Sequence, residues 1–195
     1  ILLLIQDDRP DEALSQLEAF AATGLAAEAA LRGWRAEAEA AAGRTDKAVA
    51  ELDALLEEPP VGLSARDRAE VWAKLITILI EAQRYDDALA RCDEWLSELP
   101  AKEQAMRLVV ERSRLAVLAT AGRQEQYLTE AERLLEADPD DTGLNNDLGY
   151  SWVDAGINVE RALGMIRQAV ADEPLRAAYL DSLGWAYYKT GDFDR

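Results

Sequence analysis

GRTDKA, at residues 43–48, returns five more times along the chain in variant form. The other copies are DRPDEA (8–13), QRYDDA (83–88), GRQEQY (122–127), GINVERA (156–162) and GDFDR (191–195). Each opens on a turn former or a polar residue and sets an acid two places before a closing Ala. Tyr127 replaces that Ala once, GINVERA carries one inserted residue, and GDFDR stops one residue short. The acids are Asp11, Asp46, Asp86, Glu125, Glu160 and Asp194. A carboxylate at this point belongs in the first turn of a helix, where unpaired N–H groups and the positive end of the helix dipole favour it. The same register makes Ala, or another small residue, the expected successor of Arg195.

The far ends of these segments agree with one another. Twelve residues beyond Ala48, Ala88, Tyr127 and Ala162 stand Pro60, Pro100, Pro139 and Pro174, four of the six prolines in the chain. Proline at that phase ends a helix without breaking its interior. The closing slots fall at 13, 48, 88, 127 and 162, so they are spaced by 35, 40, 39 and 35 residues. Self-similarity at such a period predicts stacked helical hairpins rather than one globular core.

Composition supports helices throughout. Of the 195 residues 49% are apolar and 30% charged, and glycine and proline are sparse, so the chain can bury a core. The longest apolar runs, ILLLI (1–5) and LITILI (75–80), fall far short of a membrane span. The formal charge is −17, from 38 acidic and 21 basic residues. That field repels a phosphate backbone or an anionic membrane, which excludes nucleic acid as the expected partner. A solvated acidic surface is the plain reading, and a basic protein partner the specific one. The chain opens on Ile1 rather than Met, and is read as a segment of a longer protein.

The pattern resembles the tetratricopeptide repeat family, whose repeat runs W-x2-L-G-x2-Y, then A-x3-F, then P. The residues that carry the likeness are Asn145, Leu148, Gly149, Trp152, Ala162, Ile166 and Pro174, then Leu180, Leu183, Gly184 and Tyr187. A further unit reads Trp72, Leu75, Ile76, Leu79, Ala88, Cys92 and Pro100. Arg35-Ala36 and Arg114-Leu115 stand where Leu-Gly is expected, so the likeness is strongest from 142 onward and weaker before. The resemblance implies an all-α, right-handed superhelical solenoid of antiparallel helix-turn-helix repeats. It divides residues 1–195 into a partial repeat 1–28, repeats 29–62, 63–102, 103–141 and 142–176, and a partial repeat 177–195. The Ala-, Arg- and Asp-rich composition is of bacterial type. Extra residues near 63–68 and 103–107 are expected to lengthen the first helices of their repeats, and SARD (64–67) reads as a capping box. Gly149 and Gly184 lie inside expected helices, where glycine costs about 1 kcal/mol relative to alanine. Both are therefore expected to face a helix passing too close for a Cβ.

Catalytic chemistry finds little to work with. The chain has no histidine, which removes the commonest general base and the usual nucleophile pairs. Cys92 falls one turn after Ala88 in an apolar slot and is expected to be a packed, inert thiol. DPDDTGLNNDLG (138–149) begins like a calcium loop, but its twelfth residue is Gly149 where a bidentate glutamate is needed. No metal and no cofactor are expected.

In the family resembled, the inner face of each first helix lines a concave groove. Helical periodicity then places Asn146, Tyr150, Val153 and Asp154 on that face, followed by Asp181, Trp185, Tyr188 and Lys189. Earlier units contribute Gly33, Glu37, Ala73, Thr77, Ile80, Arg112, Ala116 and Ala119. The expected groove is small-residued and mildly apolar, turning aromatic toward the C-terminus, where Trp and Tyr suit interface anchors. Trp185 and Tyr188 equally suit packing against a following repeat. Asn146 matches one half of a carboxylate-binding pair, but no inward Lys or Arg set repeats beside it. Two functions follow: a non-enzymatic protein-protein interaction scaffold holding a peptide or helix, or a structural spacer or assembly arm in a larger protein. The apolar ends, ILLLI and the helix over about 175–190 with Leu183, Tyr187 and Phe193, are expected to support self-association.

Overall fold

The computed structural model describes residues 1–23 and 28–192. Among them are eleven α-helices and no strand: α1 (Leu2–Gln6), α2 (Pro10–Ala21), α3 (Glu28–Ala41), α4 (Thr45–Glu57), α5 (Ala65–Glu81), α6 (Tyr85–Glu98), α7 (Gln104–Thr120), α8 (Gln124–Ala137), α9 (Thr142–Ala155), α10 (Val159–Asp172) and α11 (Ala177–Thr190). No helix of the described residues is long and apolar enough to cross a membrane. Phe193 and Asp194, which the sequence pattern singles out, lie outside the described residues.

The five repeated segments from 8–13 to 156–162 are turns between two helices, and in these and at Gly191 the first residue is the one that reverses the chain. Asp8, Gly43, Gln83, Gly122, Gly156 and Gly191 all have positive φ, between 57° and 76°. The N–H of the residue after the left-handed one then bonds back across the turn: Arg9 to the Leu4 carbonyl, Arg44 to Glu39, Arg84 to Leu79, Ile157 to Trp152 and Asp192 to Tyr187, at 2.8–3.0 Å. This is the Schellman arrangement, which satisfies carbonyls that a helix end leaves free. The residue inserted in GINVERA is absorbed by a second left-handed residue, Asn158, with φ 46°. Asp11, Asp46, Asp86, Glu125 and Glu160 all lie in first turns, as their register requires.

Two of these acids have a second role. The guanidinium of Arg44 reaches back to Asp11 at 3.0 Å, and that of Arg84 reaches back to Asp46 at 2.6 Å. Each turn is thus tied to the turn one repeat earlier. Both carboxylates are largely solvent-exposed, so the ties align the turns more than they stabilise them.

Helices α5 and α7 each have 17 residues, against 14 in α3, α9 and α11, which accounts for the 40- and 39-residue spacings. Ser64 and Asp67 form the expected capping box of α5, and these hydrogen bonds hold the Asp67 carboxyl below its ordinary value.

The chain divides into two compact units, Ile1–Gly122 and Arg123–Arg195. The boundary lies in the turn between α7 and α8, inside the 103–141 segment. In the first unit α1, α3, α5 and α7 each touch the next of the set, while α2, α4 and α6 each pack on the helix before and the helix after. Ala13, Ala48 and Ala88, the closing residues of their turn segments, are fully buried where second helices approach first ones. Trp72 fills the space between α5 and its neighbours. It stacks on Trp95 at 4.3 Å and donates its Nε1–H to Ser113 Oγ at 3.3 Å. Cys92 is completely buried, and desolvation pushes its thiol up to about 12, so it carries no reactive thiolate at neutral pH.

In the second unit α9 packs on α8, α10 and α11, and α10 packs on α11. Leu148, Trp152, Ala162 and Ile166 are buried to within 1% of full cover. A Cβ on Gly149 would stand 2.9 Å from Ile166 Cγ1 and 3.0 Å from the Ala162 carbonyl oxygen. That glycine is the close contact its position predicts. Gly184 is not: a Cβ there would meet nothing within 4 Å. The expectation for Gly184 is corrected, because no described helix lies against α11 as α10 lies against α9.

Candidate functional site

The open side of α11 is where the second unit presents unusual side chains. Six residues line a cavity of about 580 Å³: Tyr150 from α9, with Leu180, Asp181, Gly184, Trp185 and Tyr188 from α11. Spacings of three and four residues bring those of α11 onto one helix face. A Cβ on Gly184 would meet nothing within 4 Å, so the glycine leaves open space on that face. Trp185 and Tyr188 stack at 5.4 Å with 24° between their planes, and Tyr188 is 61% exposed. Large aromatic surface left in water beside open space is the costly feature here, since each ring would gain from burial.

Lys189 and Asp154 close one edge. The ammonium of Lys189 lies 5.1 Å from the centre of the Trp185 ring and 3.4 Å from Asp154 Oδ1, and it donates to the Asp154 backbone oxygen at 3.1 Å. Cation–π attraction and the ion pair together hold the Trp185 ring in place across two helices. The Trp185 Nε1–H is buried and has no acceptor.

Of the residues expected in the groove, Tyr150, Asp181, Trp185 and Tyr188 are therefore brought together, with Asp154 and Lys189 at their edge. Asn146 is placed differently. It is only 4% exposed, it donates to Asp147 Oδ1 at 3.1 Å, and its Oδ1 has no partner. Val153 is likewise buried. Arg112 is an exposed residue of α7 in the other compact unit. Among the earlier positions, Glu37, Ala73 and Thr77 line a separate groove of about 730 Å³ formed by α1, α3, α5 and the start of α4. Gly33 is buried beside the stem of Lys74, and Ala116 and Ala119 are exposed on α7.

Sequence reasoning missed Leu180 and Gly184 as lining residues and missed the Asp154–Lys189 pair. The pair had a signal, since the two positions are 35 residues apart and hence equivalent in successive repeats. The calcium-like stretch has a structural use: Asp141 Oδ1 accepts the Leu144 N–H at 3.0 Å as the N-cap of α9, and Thr142 donates to Asp172 at 3.2 Å.

Residues 1–62, which span α1 to α4, match the family model described as tetratricopeptide repeat. The match falls on the N-terminal stretch rather than on the C-terminal units in which the motif residues are most complete. No curated protein matches the chain.

Proposed function

We propose, from the tetratricopeptide repeat match over residues 1–62, that the chain is a non-catalytic scaffold whose second unit holds a peptide or helix of another protein on the Tyr150, Asp181, Trp185 and Tyr188 shelf. One observation carries this: two stacked, partly exposed aromatic rings beside a glycine, in an open cavity of about 580 Å³. Such a cavity matches the size of pockets that take a few partner side chains. Tryptophan and tyrosine in such a setting are the residue types that dominate interface energies. Asp154 and Lys189 orient Trp185 rather than bind the partner directly. We further read residues 1–195 as one array of repeats with the boundaries expected from sequence.

The test is titration of a partner captured by the chain. Trp185→Ala and Tyr150→Ala are expected to weaken it at least tenfold, the scale of an interface anchor. Glu57→Ala and Glu58→Ala, on an exposed helix end, are expected to leave it unchanged. A partner indifferent to both aromatics would favour the spacer or assembly-arm reading. Self-association is supported by apolar side chains left in water: Leu2 and Leu3 on α1, Leu180 and Tyr188 on α11. Light scattering over a concentration series should show a rising mass that Leu3→Ser and Leu180→Ser lower; a constant monomer mass removes this part of the reading.

A further inference from the structure

The shelf on α11 has a charge as well as a shape. Three aromatic residues line its cavity, Tyr150, Trp185 and Tyr188, with one carboxylate, Asp181, and no cationic side chain. Asp181 is exposed and, among the described residues, belongs to no ion pair. A cation already reaches this face from its edge. The Lys189 ammonium lies 5.1 Å from the centre of the Trp185 ring, and Asp154 holds it there at 3.4 Å, outside the cavity itself. The faces of aromatic rings carry negative charge density and attract cations, tryptophan most strongly. Several rings beside a carboxylate are the setting that suits an ammonium with no N–H of its own.

We propose that this cavity binds a small quaternary ammonium compound, its methylated nitrogen against the rings of Trp185, Tyr188 and Tyr150 and its charge balanced by Asp181. The volume of about 580 Å³ is in the range of small-molecule sites. An anion would be repelled by Asp181 and by the net charge of −17. A neutral apolar molecule would displace water from the carboxylate without answering its charge, which is costly. A primary ammonium carries three N–H donors and a tight hydration shell, which ring faces do not replace. A quaternary ammonium has no donor to satisfy, and its methyl groups suit Leu180 and the rings. The inference rests on the shelf of the interaction reading but requires no partner protein, so separate titrations test the two.

The probe is choline chloride, titrated into the 15N-labelled full chain at an ionic strength held constant with sodium chloride. The five tryptophans give five indole N–H resonances, and Trp185→Phe identifies the one that matters. That resonance should move saturably, with a midpoint on the order of 1 mM for contacts with a few rings. Two relatives of the probe separate its features: 3,3-dimethylbutan-1-ol keeps the shape without the charge, and ethanolamine keeps the charge without the methyl groups. Each should bind at least about fivefold more weakly. Tyr188→Leu and Asp181→Asn, both at exposed positions, should weaken choline about fivefold and about threefold, the scale of one ring contact and one screened charge. Glu58→Gln, which removes an acid away from the shelf, should change affinity by less than about twofold. Equal binding of the neutral alcohol would mean apolar burial alone, equal binding of ethanolamine would mean diffuse charge attraction, and either overturns the proposal. A peptide carrying trimethyllysine that binds at least about tenfold tighter than choline would place the occupant on a partner chain and overturn the small-molecule assignment. A partner lost with Trp185→Ala while choline leaves the Trp185 resonance unmoved overturns this inference and leaves the interaction reading standing. Saturable choline binding beside a partner indifferent to Trp185→Ala supports this inference against that one.

Discussion

Helices α9 and α11 carry the same signature at the same register, yet among the described residues α10 covers that of α9 and nothing meets the glycine of α11. Leu148, Gly149 and Trp152 of α9 correspond to Leu183, Gly184 and Tyr187 of α11, each 35 residues on. The α9 set is buried against α10, with Ile166 and the Ala162 carbonyl resting where a Gly149 Cβ would go. In α11 Leu183 and Tyr187 are half-buried and Gly184 meets nothing. The neighbouring positions follow suit: Val153 is 1% exposed and its counterpart Tyr188 61%. One residue pattern thus has two physical meanings. With a helix against it, the glycine permits close packing; without one, it leaves space beside two aromatic rings.

The largest expected effect tests the covered side. Trp152→Ala removes a ring that is 1% exposed and should cost about 3–5 kcal/mol, while Tyr187→Ala should cost no more than about 1. Urea unfolding of the two variants measures the difference, and equal losses would erase the contrast between the helices. Next comes the glycine pair. Gly149→Leu should cost about 1–3 kcal/mol by overpacking, and Gly184→Leu should cost nothing measurable. If Gly184→Leu melts as low as Gly149→Leu, something covers α11 in solution. A smaller effect of opposite sign sharpens the same point: Gly184→Ala should stabilise by up to about 1 kcal/mol, because alanine is the better helix former and here it meets no neighbour.

The smallest effect is a control outside both helices. The Asp67 carboxyl, hydrogen-bonded to Ser64, lies below its ordinary value of 3.8. Its lowered folded value means that its contribution is present above the unfolded value and is lost as pH falls through the folded one. Asp67→Asn should therefore reduce stability near neutral pH and flatten the acid-side decline between pH 4 and 2 (roughly the window of an ordinary carboxylate moved downward). An acid-side profile identical to that of the parent would show that the capping box contributes nothing in water.

What was legible in the sequence is what the backbone encodes locally. The turn segments specify left-handed residues, first-turn acids and closing alanines, and the prolines specify helix ends. Together these determined where the helices lie and how they follow one another in hairpins. The 17-residue lengths of α5 and α7 followed from the extra residues in their repeats. Half of the candidate site was legible as well, because helical periodicity places Trp185 and Tyr188 on one face whatever lies nearby. Each of these features depends on interactions within a few residues of the chain.

Tertiary structure alone decided the rest. Leu-Gly reads identically at 148–149 and 183–184, and among the described residues only the first meets a neighbour where its Cβ would stand. Asn146 is placed on the groove face by periodicity, but its burial is set by neighbours that periodicity does not describe. The division of the chain at Gly122 and Arg123, and the meeting of α1, α3 and α5 around Glu37, likewise join residues tens of positions apart. Local pattern determined which helices this protein forms and which way their faces point; contacts between distant segments determined which faces remain open to a partner, because burial belongs to pairs of surfaces and never to one stretch of sequence.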